Sequence, residues 1–311
     1  MEQRRGRTRW RAWWTAARVH TLPAGASPVI VGIGIALDKG MFSLWPALAA
    51  LLGALLIQVG TNFANDYYDA IQGVDTPDRE GFTRVTASGL LDPEEVREAM
   101  VLTFVSAIIV GAYLVYVGGV PILVIGLLSV AAGIAYTGGP LPFGYRGLGD
   151  IFVFIFFGLI AVIGTYYVQA VSIVADPLTR SLPEQTIAIE AVLGGVAMGG
   201  LITGILVINN IRDIDEDRDA GKRTLAVMIG RRWSRIEFLV LVALAYLVPL
   251  WFIVDGGSFA VALVYLSLPL AGIVTRDVLR GVDGSTLNPA LTNMGRLVLV
   301  YAVLFAIGVT L

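Results

Sequence analysis

The sequence predicts an all-α, polytopic membrane protein with about nine transmembrane helices, arranged as two related four-helix units plus one. Of its 311 residues 56% are hydrophobic and only 15% charged, a balance unlike that of an ordinary soluble domain. Uninterrupted apolar runs recur along the chain, each close to the ~20 residues a spanning helix needs. Two of these runs, the second and the sixth, end in matching clusters of amides and acids. The first cluster is Asn62-Phe63-Ala64-Asn65-Asp66-Tyr67-Tyr68-Asp69 with Asp75 and Asp78 beyond it; the second is Asn209-Asn210-Ile211-Arg212-Asp213 followed by Asp215, Asp217 and Asp219.

Residues 1–20 read as a basic amphipathic interfacial segment and residues 21–311 as one transmembrane domain. In the former, Arg4, Arg5, Arg7, Arg9, Arg11 and Arg18 accompany Trp10, Trp13, Trp14 and Ala17 at helical spacing, a pattern suited to a helix lying on an anionic leaflet. The first span, near 21–37, lacks a small-residue cleavage site and contains Pro23 and Pro28, so it reads as a retained span and not a signal peptide. The second runs near 46–66 into the first cluster. Spans near 99–117 and 119–136 are separated only by Gly118-Gly119-Val120-Pro121, which predicts a tight hairpin. A fifth lies near 149–171 and a sixth near 188–211, entering the second cluster. The seventh and eighth, near 236–254 and 258–275, flank Asp255-Gly256-Gly257-Ser258, a second hairpin signal; the ninth lies near 290–310.

With nine spans, every Lys and Arg except Lys39 and Arg180 falls on the side of the N-terminus. That asymmetry assigns this side to the cytoplasm of a cell-membrane protein, with both acidic clusters on it. The net charge is −2 and cysteine is absent. Disulfides and thiolate metal sites are thereby excluded, and nucleic acid is not expected as a partner.

The clusters carry the chemistry. Gln58, Asn62, Asp66 and Asp69 fall at i, i+4, i+8 and i+11 on one helix face, and Asn209, Asp213 and Asp217 stack at i, i+4 and i+8 on another. Carboxylates at the ends of membrane helices are costly to desolvate, so duplicated clusters point to divalent cations held by oxygen ligands, with an anion beside them. The bland alternative is a pair of solvated helix ends, and the duplication weighs against it. The segment 66–98 holds nine acids against Arg79, Arg84 and Arg97, whereas 212–235 interleaves its acids with Arg212, Arg218, Lys222, Arg223, Arg231, Arg232 and Arg235. Such mixing suits a metal-bridged phosphate whose remaining oxygens meet basic side chains. The glycine-rich stretch 138–149 is no P-loop, because it lacks the Gly-Lys-Ser/Thr ending.

The pattern Asn65-Asp66-x-x-Asp69 with Asp75 beyond, paired with Asn209-Asn210 and Asp213-x-x-x-Asp217, resembles the UbiA-type intramembrane aromatic prenyltransferase superfamily over nearly the whole chain. Within it, Thr21-Leu22-Pro23-Ala24, the run from Tyr136 to Asp150 and the run from Asp219 to Ala226 resemble the branch that prenylates 1,4-dihydroxy-2-naphthoate in menaquinone synthesis. The 4-hydroxybenzoate branch typically ends its fourth span with Tyr-Pro-x-x-Lys-Arg; this chain has Tyr136 but no following lysine. The resemblance implies Mg²⁺-dependent transfer from a polyprenyl diphosphate to the aromatic acceptor, with decarboxylation, among membrane lipid. It implies that Asn65, Asp66, Asp69 and Asp75 serve one ion and Asp213 and Asp217 the other, with Asp66, Asp69, Asp213 and Asp217 essential to catalysis. Asn62, Asn65, Arg84, Tyr136, Arg146, Asn209, Lys222 and Arg223 are the substrate-binding candidates; for Arg84, Lys222 and Arg223 a topology signal is the alternative reading.

Arg146, the basic residue of the loop after the fourth span, is set among glycines and is a candidate either to replace the missing family lysine or to meet the acceptor carboxylate. Asp215 and Asp219 lie outside the strict spacing and read equally well as solvated acids. His20, the sole histidine, makes no metal site by itself. A rival class is an ion-coupled transporter, whose acids should sit near span centres. An alcohol phosphotransferase using CDP-linked substrates would need a different aspartate pattern within a single motif, not found here.

Overall fold

A computed structural model describes residues 2–71, 73, 84–136 and 142–311, with side chains from Arg9 onward. Asp75 and Asp78, and residues 137–141 of the glycine-rich run, lie outside the described residues. Among the described residues all regular structure is helical. Helix α1 (Glu2–Ala17) stops at Arg18, whose φ of 47° is left-handed, and a 3-10 turn leads into α2 (Leu22–Asp38), with Pro23 in its first turn. Helix α3 (Leu44–Ile71) runs beyond the expected end of the second span, so Asp66 and Asp69 belong to the helix itself. Helix α4 (Pro93–Ala135) opens on a capping box formed by Asp92 and Glu95.

Gly119 breaks α4 with φ 68° and ψ −154°. The two arms fold back on each other, since a Cβ placed on Gly133 would lie 3.7 Å from the Phe104 ring. A continuous rod follows, built from α5 (Gly149–Val153), a π-helical stretch Phe154–Ile160 and α6 (Ala161–Val174). Helix α7 (Ile189–Arg212) passes into the short α8 (Ile214–Asp219). Helix α9 (Leu225–Val254) is capped by Thr224 and kinked at Gly230, a 3-10 stretch Phe259–Ser267 continues into α10 (Leu268–Arg280), and Asp283 caps α11 (Gly284–Thr310). Eight stretches among the described residues are long and apolar enough to cross a membrane. Because α4 is a hairpin, they supply the nine arms expected from the sequence.

Helix α3 packs on α4, α7 on α9 and α2 on α11, while α2 also meets α3, α6 and α7 and so ties the bundle together. Lipid is as apolar as leucine, so helices in it gain most from close backbone approach at small residues. A Cβ on Gly158 would lie 2.4 Å from the Gly199 Cα, one on Gly200 2.5 Å from the Leu241 carbonyl oxygen, and one on Gly34 2.6 Å from the Ala306 Cα. The main buried core gathers around α7 and α11, where Met198, Phe238, Leu297, Tyr301 and Phe305 are fully enclosed.

At the end of the bundle remote from the aspartates, Val120 N donates to the Thr179 carbonyl (3.0 Å), Leu178 N to the Tyr116 carbonyl (2.9 Å) and the Tyr167 hydroxyl to the Gly118 carbonyl (2.9 Å). Lys39 Nζ meets Glu190 Oε1 at 2.5 Å across the α2–α7 ends. Gly119 is doubly constrained here: its backbone lies in a region open essentially to glycine alone, and an added Cβ would fall 1.9 Å from the Thr179 oxygen. Gly119→Ala should therefore lower the thermal midpoint of the detergent-purified protein, with the backbone conformation alone costing ~1–3 kcal/mol. Gly111→Ala, where a Cβ meets nothing within 4 Å, should leave the midpoint unchanged or raise it slightly. Equal shifts in both proteins would remove the role given to Gly119.

Candidate active site

A cavity of about 870 Å³ opens between α2, α3, α4, the 149–174 rod and α7, at the upper end of the roughly 300–1,000 Å³ usual for small-molecule sites. Its polar end is lined by Asn65, Asp69, Arg84, Asn209, Asp217 and Lys222, and its apolar wall includes Phe143, Phe152 and Phe156. The polar face of α3 works in tiers. Gln58 Nε2 and Asn62 Nδ2 both donate to Thr21 Oγ1 (3.0 and 2.9 Å), and Asn62 also donates to the Ala17 carbonyl (2.9 Å). They fix the junction between α1 and α2. One turn on, Asp66 Oδ2 accepts from Thr86 N (3.2 Å) and Thr86 Oγ1 (2.8 Å), anchoring the chain that precedes α4.

Asp69 is where the two halves meet. Tyr145 donates its hydroxyl to Asp69 Oδ1, Arg84 Nη2 lies 3.5 Å from Oδ2 and Lys222 Nζ 3.9 Å from Oδ1. The same ammonium is 4.0 Å from Asp217 Oδ1 and 4.5 Å from the centre of the Tyr145 ring, a cation–π arrangement. Backbone bonds hold the pieces in place: Lys222 N donates to the Asp217 carbonyl (2.8 Å) and Arg223 N to the Tyr145 carbonyl (2.9 Å).

The second cluster differs from a single continuous face. The chain turns at Asp213 (φ −91°, ψ 10°) between α7 and α8, and the Asp213 carboxylate is buried in a two-pronged pair with Arg212, Nε to Oδ1 at 2.5 Å and Nη2 to Oδ2 at 2.9 Å. Arg212 also donates to Asn209 Oδ1 and to Asn288 Oδ1 of α11, both at 2.7 Å, while Asn209 Nδ2 is 3.4 Å from Asp213 Oδ2. Asp213 thus sits beside the cavity and not on its wall, whereas Asp217 reaches the wall.

Other sequence candidates separate clearly. Tyr136 lines the cavity and heads an aromatic row: it meets Phe143 edge-on (5.8 Å), Phe143 stacks on Phe152 (3.9 Å) and Phe152 on Phe156 (5.9 Å). Arg146 and Arg223 are exposed and off the cavity wall. Asp215 is exposed and pairs with Arg218 (2.9 Å) and Arg231 (3.3 Å), and Asp219 is exposed as well. His20 is exposed at the cavity rim. Sequence reasoning singled out neither Tyr145 nor Arg212. A basic residue beside an acid at the end of an apolar span is itself a signal, because a buried carboxylate needs a partner; Tyr145 gave no signal apart from its place in the glycine-rich run.

Mg²⁺ takes hard oxygen ligands, keeps several waters and is usually held by one or two carboxylates together with substrate phosphates. Among the described residues no three His, Cys, Asp or Glu side chains converge into a closed cage. Asp69 and Asp217 instead present single carboxylates on either side of Lys222. That donor set fits ions completed by diphosphate oxygens.

The sequence profile of the UbiA prenyltransferase family matches residues 26–306. The 1,4-dihydroxy-2-naphthoate octaprenyltransferase of Escherichia coli (strain K12) is 36% identical over 311 residues, covering 98% of this chain and 96% of that protein. Among solved structures, the apo UbiA homolog from Aeropyrum pernix K1 superposes with a TM-score of 0.71 at 18% identity, over 91% of this chain and 97% of that one. The Archaeoglobus fulgidus UbiA homolog bound to DMAPP and Mg²⁺ gives 0.61 at 15% identity, over 95% and 99%. At these identities the structural likeness speaks for the fold.

The Lys222 geometry is open to a direct test with inorganic diphosphate and Mg²⁺ in titration calorimetry. Lys222→Gln should weaken binding by roughly 10- to 100-fold, the loss of one hydrogen bond between charged groups. Tyr145→Phe keeps the ring face under the ammonium and should cost less than about tenfold. The reverse order would show that the Tyr145 hydroxyl, and not the ammonium, anchors the anion.

Proposed function

The chain belongs to the UbiA prenyltransferase family, and on that premise we propose that it transfers a polyprenyl group from polyprenyl diphosphate to 1,4-dihydroxy-2-naphthoate, with loss of the ring carboxylate as CO₂, giving demethylmenaquinol in menaquinone synthesis. It is a multi-pass membrane prenyltransferase. The observation that carries the diphosphate half is the Lys222 ammonium set between Asp69 and Asp217 at the polar end of a largely apolar cavity. Likeness to the E. coli naphthoate enzyme supports the acceptor half. The acids lie at helix ends around the cavity mouth, which disfavours a carrier with mid-span ion sites.

Asp69 and Asp217 face the cavity and would hold Mg²⁺ with the diphosphate, with Asn65 and Asp75 as further oxygen donors on the first side. Asp66 and Asp213, fixed by Thr86 and Arg212, hold the two ends in register and keep further carboxylate charge close by. Bound Mg²⁺ supplies Lewis-acid neutralisation of the charge that builds on the departing diphosphate. Lys222 and Arg84 meet the remaining phosphate oxygens, and Asn62 and Asn209 support the wall on which these groups stand. The apolar wall excludes water from the allylic cation, and the faces of Phe143, Phe152 and Phe156 are suited to stabilising it. Tyr136, at the head of that row, is placed to donate to an oxygen of either substrate. The hydroquinone ring forms the new C–C bond at the carbon bearing its carboxylate, and the electron pair of the breaking C–CO₂ bond restores aromaticity. Arg146 and Arg223, exposed on the surface, are assigned to topology and not to substrate.

Offering purified protein both aromatic acids with a prenyl diphosphate tests the acceptor directly. The expected product is a prenylated naphthol without its carboxylate; prenylated 4-hydroxybenzoate as the main product, or a naphthoate retaining CO₂, would overturn the assignment. The basic asymmetry supports an aspartate face on the cytoplasmic side of the cell membrane. Because the chain has no cysteine, Ser181→Cys and Asp219→Cys, at exposed positions on opposite faces, can be compared in intact cells. An impermeant maleimide should label the cysteine at 181 and spare the one at 219; the opposite pattern would invert the topology.

A further inference from the structure

Helices α9 and α10 are tied to each other at two levels and part between them. Part-way along α9 the Tyr246 hydroxyl and Ser267 Oγ lie 2.6 Å apart, and the Tyr265 hydroxyl donates to the Tyr246 carbonyl (3.0 Å). At the other level Arg235 of α9 donates to the carbonyls of Val278 (3.1 Å) and Gly281 (2.7 Å), closing the last turn of α10. This second tie lies at the aspartate end of the bundle, because α11 starts directly after it and brings Asn288 to Arg212. Between the ties α10 packs chiefly on α11. A groove of about 510 Å³ opens there on the outside of the bundle, lined by Val242 and Tyr246 of α9 and by Ala271, Gly272, Arg276 and Arg280 of α10. A Cβ on Gly272 would meet nothing within 4 Å.

Depth and charge together narrow what this groove can hold. The 13 residues of α10 rise about 20 Å, half of the ~40–45 Å of a bilayer with its headgroups. The groove therefore spans one leaflet, from headgroup level at Arg280 to the bilayer middle at Tyr246. Arg276 and Arg280 stand one helical turn apart and are both exposed at the headgroup end. Arg276 donates to Asp277 Oδ1 (2.9 and 3.0 Å), whereas Arg280 has no ion pair among the described residues. A soluble anion would leave the apolar length of the groove unfilled. A second copy of this chain would have to bury both arginines against an apolar face, at a cost in desolvation. A prenyl diphosphate would need oxygen ligands for Mg²⁺, and the nearby acid, Asp277, is committed to Arg276.

We propose that this groove binds an anionic phospholipid of the leaflet on the aspartate side, one acyl chain lying between α9 and α10 and the phosphate resting on Arg280 with Arg276 beside it. The chain supplies the apolar contact that the two helices do not give each other. The headgroup gives Arg280 the counter-charge it lacks in the protein, at a depth where basic side chains meet anionic lipid. Such a lipid also steadies α10 against α11, and through Asn288 and Arg212 it backs the second aspartate cluster.

Native mass spectrometry of the detergent-purified protein, with phosphatidylglycerol or phosphatidylcholine added, reads this site without recourse to activity. The wild type should hold phosphatidylglycerol roughly tenfold more tightly than phosphatidylcholine. Arg280→Gln, at an exposed helix end, should cut that preference about fivefold, and Arg280→Lys should keep it. Gly272→Leu places its side chain in the open groove and should weaken phosphatidylglycerol roughly tenfold while the thermal midpoint stays unchanged. Absence of a headgroup preference in the wild type, its full survival in Arg280→Gln, or wild-type lipid binding by Gly272→Leu would each overturn the site. Displacement of the lipid by inorganic phosphate would hand the arginines to a soluble anion instead. A dimer that Gly272→Leu disperses would give the groove to a second copy of the chain, and the proposal would fall.

Discussion

One ammonium group joins the two halves of this protein. Lys222 lies within 4.0 Å of carboxylates contributed by α3 and by α8, and two acids brought together in a poorly hydrated space would repel each other strongly without it. The demand for compensating charge orders the rest of the site. Asp66 is satisfied by Thr86 and Asp213 by Arg212, so each cluster divides into one acid that holds structure and one that faces the cavity. Arg212 extends this outward, because its contacts with Asn209 and Asn288 bind α7 to α11.

Such charge pairing requires helices that hold their positions to within a fraction of an ångström, and lipid supplies little hydrophobic force for that. Backbone contact does so instead. The glycines of α7 bring the 149–174 rod and α9 close enough that even a methyl group would collide, and α2 closes the bundle against α11. The cavity is therefore the space left between helices whose spacing is set elsewhere, and its apolar wall follows from the spans being apolar.

Much of this was legible in the sequence because its periodicity is local. The nine arms, the hairpin at Gly119 and the polar face running from Gln58 to Asp69 follow from runs and spacings within single helices. The turn at Asp213 was not legible: a straight helix and a break after Arg212 carry the same residues, and the difference is settled by Asn288 some seventy-five residues away. Arg146 illustrates the same limit, since which side of the 142–148 turn faces the cavity depends on tertiary packing; the neighbouring Tyr145 points in and Arg146 points out. The π-helical stretch Phe154–Ile160 has no sequence signature either, although it places Phe156 on the wall.

The two bonds from Asp66 to Thr86, with Arg84 beside Asp69, have an evolutionary consequence. They pin both ends of the connection between Ile71 and Arg84 at the site itself. The entropic cost of closing such a connection grows only slowly with length, by about 0.6 kcal/mol for each doubling. A change in its length therefore costs folding little, and what restrains this connection in descendants of the sequence is the oxygen donor proposed at Asp75 and not the closing of the chain.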